Sequence, residues 1–408
     1  MQSLPQKTPR LFATVDLPDP ISSNGFCAFV HDTTGYFIAS GGTRNKLASI
    51  LYRIGNNAVE LVAKLPDLQR LGILNTSKDG LYLARLDIPG RLDPTTDTTL
   101  KVYALDTAIT NKKFSEPLQQ WTWPKASGCT KAIIRTDPND AKQPYLFLKM
   151  PTDVEIWKFD SKSKKFVKKL ELHEKLIQDF AVPDFVQTKA PSKPGTEGTT
   201  QTTTTAKGST MLAATCVFRA TDGSVAKREL RLYDIASASL LKKVEFALAT
   251  GEATMLGGGV PVVWNSAGTL VAAWAYNATK AGIVMNTKGS EVAKISGCWS
   301  LSWFSVAGHS FLLGSDDGRA YVRPVKEGKE KTAKGEVTKV IVDAGYTLGN
   351  HADSDGPHGA KVEGLGDGFF GKVPDSLIVG KDLVLFAHKS PGAKLYLSRV
   401  SEPEKVPQ

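Results

Sequence analysis

Short apolar bursts recur along this chain. Runs of four to seven Val, Ile, Leu, Phe, Tyr and Trp residues are bounded by Gly, Asp, Asn, Ser or Pro. Bursts of that length between turn formers predict β-strands joined by tight connections. Long helical periodicity is nearly absent. The best helical candidate is VKKLELHEKLIQDF, where Leu170, Ile177 and Phe180 share one helical face. The same stretch reads as a strand ending near Leu172, a turn over His173 to Lys175, and a second strand from Leu176. The strand reading is preferred because it fits the repeat found elsewhere.

That repeat is a hairpin followed by further strands. GFCAFVHDTTGYFIAS turns at Asp32 to Gly35, and KLASILYRI follows. RLGILNTSKDGLYLARLD turns at Ser77 to Gly80, and TLKVYALD follows. A third unit is TKAIIR, PYLFLKM, DVEIWKFD and FVKKLEL. The fourth is LIQDFAV, TMLAATCVFRA and ELRLYDI, and the fifth is VPVVWNSAGTLVAAWAY with AGIVMNT. SLSWFSVAGHSFLLGS with RAYVRPV is the sixth. VTKVIVDA, DSLIVG, LVLFAH and KLYLSRV make the last. A small antiparallel sheet cannot bury both faces alone, so repeated sheets stack on their neighbours. Units at this spacing predict an all-β fold, a β-propeller of about seven to nine four-stranded blades. An array of β-sandwiches is the rival architecture.

The map is an N-terminal strand or tail over 1–20, a single propeller over 21–400 and a tail over 401–408. Residues 189–210 (KAPSKPGTEGTTQTTTTAKGST) lack any large apolar side chain and read as a disordered loop. Residues 326–339 (KEGKEKTAKGEVTK) read as a charged linker, and 345–371 as a Gly-, Asp- and His-rich loop.

Composition narrows the class. The 408 residues are 41% hydrophobic and 23% charged, as in ordinary globular proteins. A formal charge of +10 suits an anionic partner without demanding one. Cys27, Cys129, Cys216 and Cys298 stand far apart, without zinc-finger spacing, and read as buried thiols of a reducing compartment. Neither a signal-peptide core nor an apolar run of membrane-spanning length occurs, so a soluble cytoplasmic protein is expected.

Catalytic, metal and cofactor signatures are weak, and a non-enzymatic protein without cofactor is expected. His351, Asp353, Asp355 and His358 alternate in HADSDGPH, but the distal Glu of a calcium loop is missing. GEATMLGGGV lacks the Lys-Ser or Lys-Thr of a phosphate loop, and GLGDGF lacks the strand and helix of a dinucleotide site. No Ser sits in GxSxG, and His31, His173, His309 and His388 are scattered over turns and strand ends.

Two features bear on binding. Trp121, Trp123, Trp157, Trp264, Trp274, Trp299 and Trp303 lie on or beside strands, where they fit interblade packing; exposed rings would stack bases. KFDSKSKKFVKK carries Lys158, Lys162, Lys164, Lys165, Lys168 and Lys169 with one acid across a strand-turn-strand edge. Such a cluster either contacts phosphate, with salt-dependent affinity, or guards a sheet edge against association.

Several phrases appear in an order that resembles the propeller of the eukaryotic translation initiation factor 2A family. They are LNTSKDGLYLARLD with TLKVYALDT, then WTWPKASG, DVEIWKF and KKLELHEKLIQDFAVPD. ELRLYDI, KKVEF, VVWNSAGTLVAAWAY, IVMNTKGSEVAKISG and SLSWFSVAGHSFLLGS follow in similar order. The likeness covers roughly residues 60 to 325 and extends more distantly to the b subunit of initiation factor 3. It implies a non-enzymatic propeller that binds the small ribosomal subunit and initiator tRNA or mRNA. It also implies nine blades and a charged C-terminal region, whereas this chain stops at Gln408, soon after its last predicted strand. IASGGTRNKLASILYRI is faintly similar to the early loop of Sec12-type exchange factors, which implies a trafficking scaffold as the alternative.

Overall fold

A computed structural model of the chain describes its strands, two short helical segments and some of the connections between residues 10 and 399. Residues 1–9, 17–25, 184–209, 247–260, 349–376 and 400–408 lie outside the described residues, as do several shorter turns. The predicted loop over 189–210 falls almost wholly there, as does most of the one over 345–371.

Among the described residues seven antiparallel sheets follow one another, the first five built by sequential hairpins alone. Blade one is Phe26–His31, Tyr36–Thr43, Lys46–Ile54 and Val59–Lys64. Blade two is Gly72–Thr76, Tyr82–Asp87, Thr98–Ala104 and Gln119–Trp123. Blade three is Lys131–Asp137, Asp140–Lys149, Asp153–Asp160 and Lys165–His173. Blade four is Ile177–Ala181, Met211–Arg219, Val225–Asp234 and Leu240–Phe246. Blade five is Val262–Trp264, Leu270–Trp274, Ala281–Asn286 and Glu291–Ser296. Blade six is Ser300–Val306, His309–Asp316, Arg319–Thr332 and Gly335–Val342, with Tyr346–Leu348 added on its third strand. Blade seven takes Leu377–Val379, Leu383–Ala387 and Lys394–Arg399, and its fourth strand is Arg10–Asp16.

The blades form a ring. First strands of successive blades adjoin between one and two, two and three, four and five, and five and six, and blade seven returns to blade one. Arg10–Asp16 runs antiparallel to Lys394–Arg399, from Arg10 opposite Arg399 to Asp16 opposite Lys394. Between blades lie apolar layers. Leu51, Leu65 and Leu83 join one to two, and Leu86, Leu100, Leu146 and Leu148 join two to three. Phe147, Ile156, Phe180 and Tyr233 join three to four, and Leu232, Trp264 and Met285 join four to five. Trp274, Ile295 and Leu312 join five to six. The architecture is therefore an all-β propeller, with seven blades among the described residues, the lower end of the predicted range.

Polar ties bind the innermost strands. Asn75 Oδ1 accepts from the Ile134 amide at 2.9 Å, stitching blade two to three. Lys131 Nζ donates to Asp179 Oδ1 at 2.6 Å, and Asp179 Oδ2 accepts from the Val262 amide at 3.2 Å, so one carboxylate spans three blades. Trp264 Nε1 donates to the Ala181 carbonyl at 3.1 Å.

The strand reading of 167–180 holds, with strands Lys165–His173 and Ile177–Ala181. Two expectations need correction. VTKVIVDA is not in the last unit: Gly335–Val342 closes blade six, and Arg10–Asp16 supplies the missing strand of blade seven. The charged stretch 326–339 is not a linker. It belongs to a long hairpin in which Val325 faces Val342 and Lys331 faces Glu336. The last rung shared with the second strand is Ser310 opposite Val325, so the hairpin beyond runs as a two-stranded ribbon. Backbone pairing needs no apolar side chains, which is why charged residues hide it.

Antiparallel pairing sorts the connections. Turns after first and third strands leave one face of the ring, and those after second and fourth strands leave the other. The first of these faces carries helix α1 (Leu105–Asn111), the turn over 161–164 and the ribbon of blade six. Helix α1 buries Leu105 and Ala108 against the layer between blades one and two.

Candidate nucleic-acid interface

The lysine cluster sits on the outermost hairpin of blade three. Asp153–Asp160 and Lys165–His173 pair from Asp153 opposite His173 to Asp160 opposite Lys165. Asp160 organises the turn: its carboxylate accepts from the Lys162 and Ser163 amides, both at 3.2 Å, and from the Ser163 hydroxyl at 2.7 Å. The Ser163 hydroxyl and these amides hold its carboxyl below the usual range. Lys164 closes the turn in the left-handed region at φ 54°, a conformation that costs a side chain about 1–2 kcal/mol.

The six lysines divide into two groups. Lys158 lies 5.1 Å from the centroid of the Tyr145 ring. Lys168 is committed to Glu171 at 2.9 Å and Glu155 at 3.0 Å, and these bonds raise its pKa. Lys162, Lys164, Lys165 and Lys169 are exposed and form no side-chain hydrogen bond or ion pair among the described residues, though the Lys162 charge acts on Asp160. A bulge lies between Ile156 and Trp157 and shifts the register so that Trp157 faces Lys168 and Ile156 faces Leu170. Sequence reasoning could not separate the groups, because Glu155 meets Lys168 only through that register.

Beside the hairpin runs a seam of aromatic rings shared with blade two. Trp121 and Trp157 stand edge to face, their ring centroids 5.7 Å apart and planes at 76°. Phe166 lies 5.9 Å from Trp121 and 5.2 Å from Phe159. Trp157 Nε1 donates to Glu155 Oε2 at 2.9 Å. The Tyr82 hydroxyl reaches the Lys142 carbonyl at 3.4 Å across the same seam. Tyr82 and Phe159 were not singled out in sequence; both flank tight turns of the kind the repeat announces.

Other candidates fare differently. HADSDGPH, GEATMLGGGV and GLGDGF lie outside the described residues. No group of three metal-ligating side chains occurs among the described residues. His173 is 74% exposed and bonded through Nδ1 to Asp153 at 2.9 Å, an ordinary strand-end contact. Cys129 and Cys216 are free and buried, and burial pushes both thiols up to about 12. Trp264 and Trp274 are interblade core, as expected. Among the described residues, no helix is long and apolar enough to cross a membrane.

No family model matches the chain, and no curated protein matches it. In structure it is similar to TolB from Acinetobacter baumannii, at 12% identity and a TM-score of 0.39. That likeness covers 68% of this chain and 55% of TolB, less than two thirds of its length. It is also similar to the Dos1 propeller, at 8% identity and a TM-score of 0.46, over 94% of this chain and 82% of that one. Likenesses of this strength say nothing about function; the fold rests on the strand pairing.

Proposed function

We propose that this propeller is a non-enzymatic binding platform that engages RNA of the small ribosomal subunit in translation initiation, with initiator tRNA or mRNA as further partners. The observation that carries the reading is the blade-three hairpin, which presents Lys162, Lys164, Lys165 and Lys169 to solvent without side-chain hydrogen bonds or ion pairs among the described residues. Lys162 and Lys164 on a turn fixed by Asp160, with Lys165 opening the return strand, form a preorganised phosphate contact. The phrases resembling initiation factor 2A lend support, since they fall within blades two to six.

Co-sedimentation of the full chain with small ribosomal subunits across a salt series tests it. Binding is expected to weaken as salt rises. Replacing Lys162, Lys164 and Lys165 by Ala lowers the salt slope by about 0.7–0.9 for each phosphate that is no longer neutralised. Thermal stability stays nearly constant, because exposed lysines contribute little to folding. Absence of binding at low salt overturns the ribosomal reading, and an unchanged slope removes the hairpin from the interface.

A second reading, a protein-interaction scaffold, has its own observation. Leu240 and Leu241 leave apolar side chains exposed, at 46% and 43%, on the outer strand of blade four. A pull-down dominated by small GTPases or coat proteins, without ribosomal material, favours that reading.

A further inference from the structure

We infer that the seam between blades two and three is a stacking site for unpaired bases, so that the interface takes single-stranded RNA rather than duplex. The inference rests on reading the blade-three hairpin as an RNA contact, and it narrows that contact to one class of strand.

It starts from a contrast among aromatic residues. Trp264 and Trp274 fill interblade layers at 7% and 1% exposure. Trp121, Trp123, Trp157 and Phe159 instead keep part of their surface in solvent. Trp121 and Trp123 are two apart on the fourth strand of blade two, and Trp157 and Phe159 are two apart on the third strand of blade three. Alternate residues of a strand share a face, and both pairs pack on the same interblade layer. These four partly exposed rings thus line a single seam.

The seam is rigid before any ligand arrives. Buried Phe166 underlies Trp121 and Phe159, and its amide donates to Gln119 Oε1 across the blades at 2.6 Å. Trp157 is fixed by its bond to Glu155. Rings held in place lose little freedom on binding, which favours affinity.

Charge complements the rings. Phe159 immediately precedes Asp160 and the turn bearing Lys162 and Lys164, with Lys165 on the return strand. A base on these rings brings its phosphate to the lysines. The local acids are already engaged: Glu155 and Glu171 hold Lys168, and Asp160 holds the turn. Rings beside a basic edge are the two parts from which single-strand sites are built. In a duplex the bases are paired and stacked on one another, so a duplex meets only the lysines.

The test uses the full chain with an oligouridylate of about 12 nucleotides and a duplex RNA of equal length, following affinity and tryptophan emission. The single strand is expected to bind more tightly and to quench emission; the duplex does not quench. Phe159→Leu keeps the apolar volume but removes the ring. It is expected to lower single-strand affinity on the order of tenfold and to leave duplex affinity unchanged. Trp121→Leu repeats the test from the other blade, and thermal melting checks that each variant folds. Equal binding of strand and duplex by the wild-type chain without quenching overturns the inference, with no variant required. So does an unchanged strand-to-duplex ratio in folded Phe159→Leu. Replacing Lys162, Lys164 and Lys165 by Ala weakens both RNAs alike. If that variant changes neither affinity while Phe159→Leu still acts, the hairpin contact fails and the stacking seam stands.

Discussion

At the scale of single residues, burial decides what each side chain can do. Cys129 and Cys216 carry thiols lifted by desolvation from an ordinary 9.0 to about 12. Unfolding returns each to its ordinary range, so above that range the unfolded chain binds fewer protons than the folded one. The stability these thiols contribute is therefore full below pH 9.0 and lost as pH rises toward about 12. The slope is about 1.4 kcal/mol per pH unit for each thiol. Denaturant titrations at increasing alkaline pH should show that decline, and replacing both residues by Ala should flatten it. Trp264 makes a different point: at 7% exposure, with Nε1 bonded to the Ala181 carbonyl, it both fills and ties the joint between blades four and five. Trp264→Ala is expected to cost about 3–5 kcal/mol, read as a lowered denaturation midpoint at unchanged m-value.

At the scale of elements, close approach between strands sets what a position tolerates. Gly282 faces Trp274 across blade five. A Cβ at Gly282 would lie 2.5 Å from Trp274 Cβ and 2.7 Å from the Ala273 carbonyl oxygen. Gly282→Ala is expected to destabilise by about 1–3 kcal/mol, and thermal melting will register it. The same scale shows what could be read from sequence. Hairpins with a Gly in the turn, such as those around Gly80 and Gly268, announce themselves, because the turn chemistry is local. Helix α1 does not: it has seven residues and no side-chain cap at Ala104, and burial of Leu105 and Ala108 in the layer between blades one and two holds it. The ribbon over 326–339 was hidden because nearly every rung sets a charged residue on at least one side, and the rungs are backbone bonds. The lysine cluster was legible as a cluster. Its division into two groups was not, since the carboxylates and ring that claim Lys168 and Lys158 come from elsewhere in the blade or depend on strand register.

At the scale of the whole molecule, closure is the decisive feature. Blade seven owes its outer strand to Arg10–Asp16, paired along Lys394–Arg399. Deleting residues 10–16 leaves Lys394–Arg399 as a bare edge and removes the joint across the ring. The deletion is expected to lower the melting temperature and to split one cooperative transition into two, as calorimetry will show; a single unshifted transition would refute it. Closure also orders events during synthesis. Arg10–Asp16 is translated before the first blade, and its pairing partner only after the sixth. The early strand therefore stays single until Lys394–Arg399 has been made, exposing a row of unmatched backbone donors and acceptors. Biogenesis of this ring thus ends with a clasp rather than with a last stacked blade.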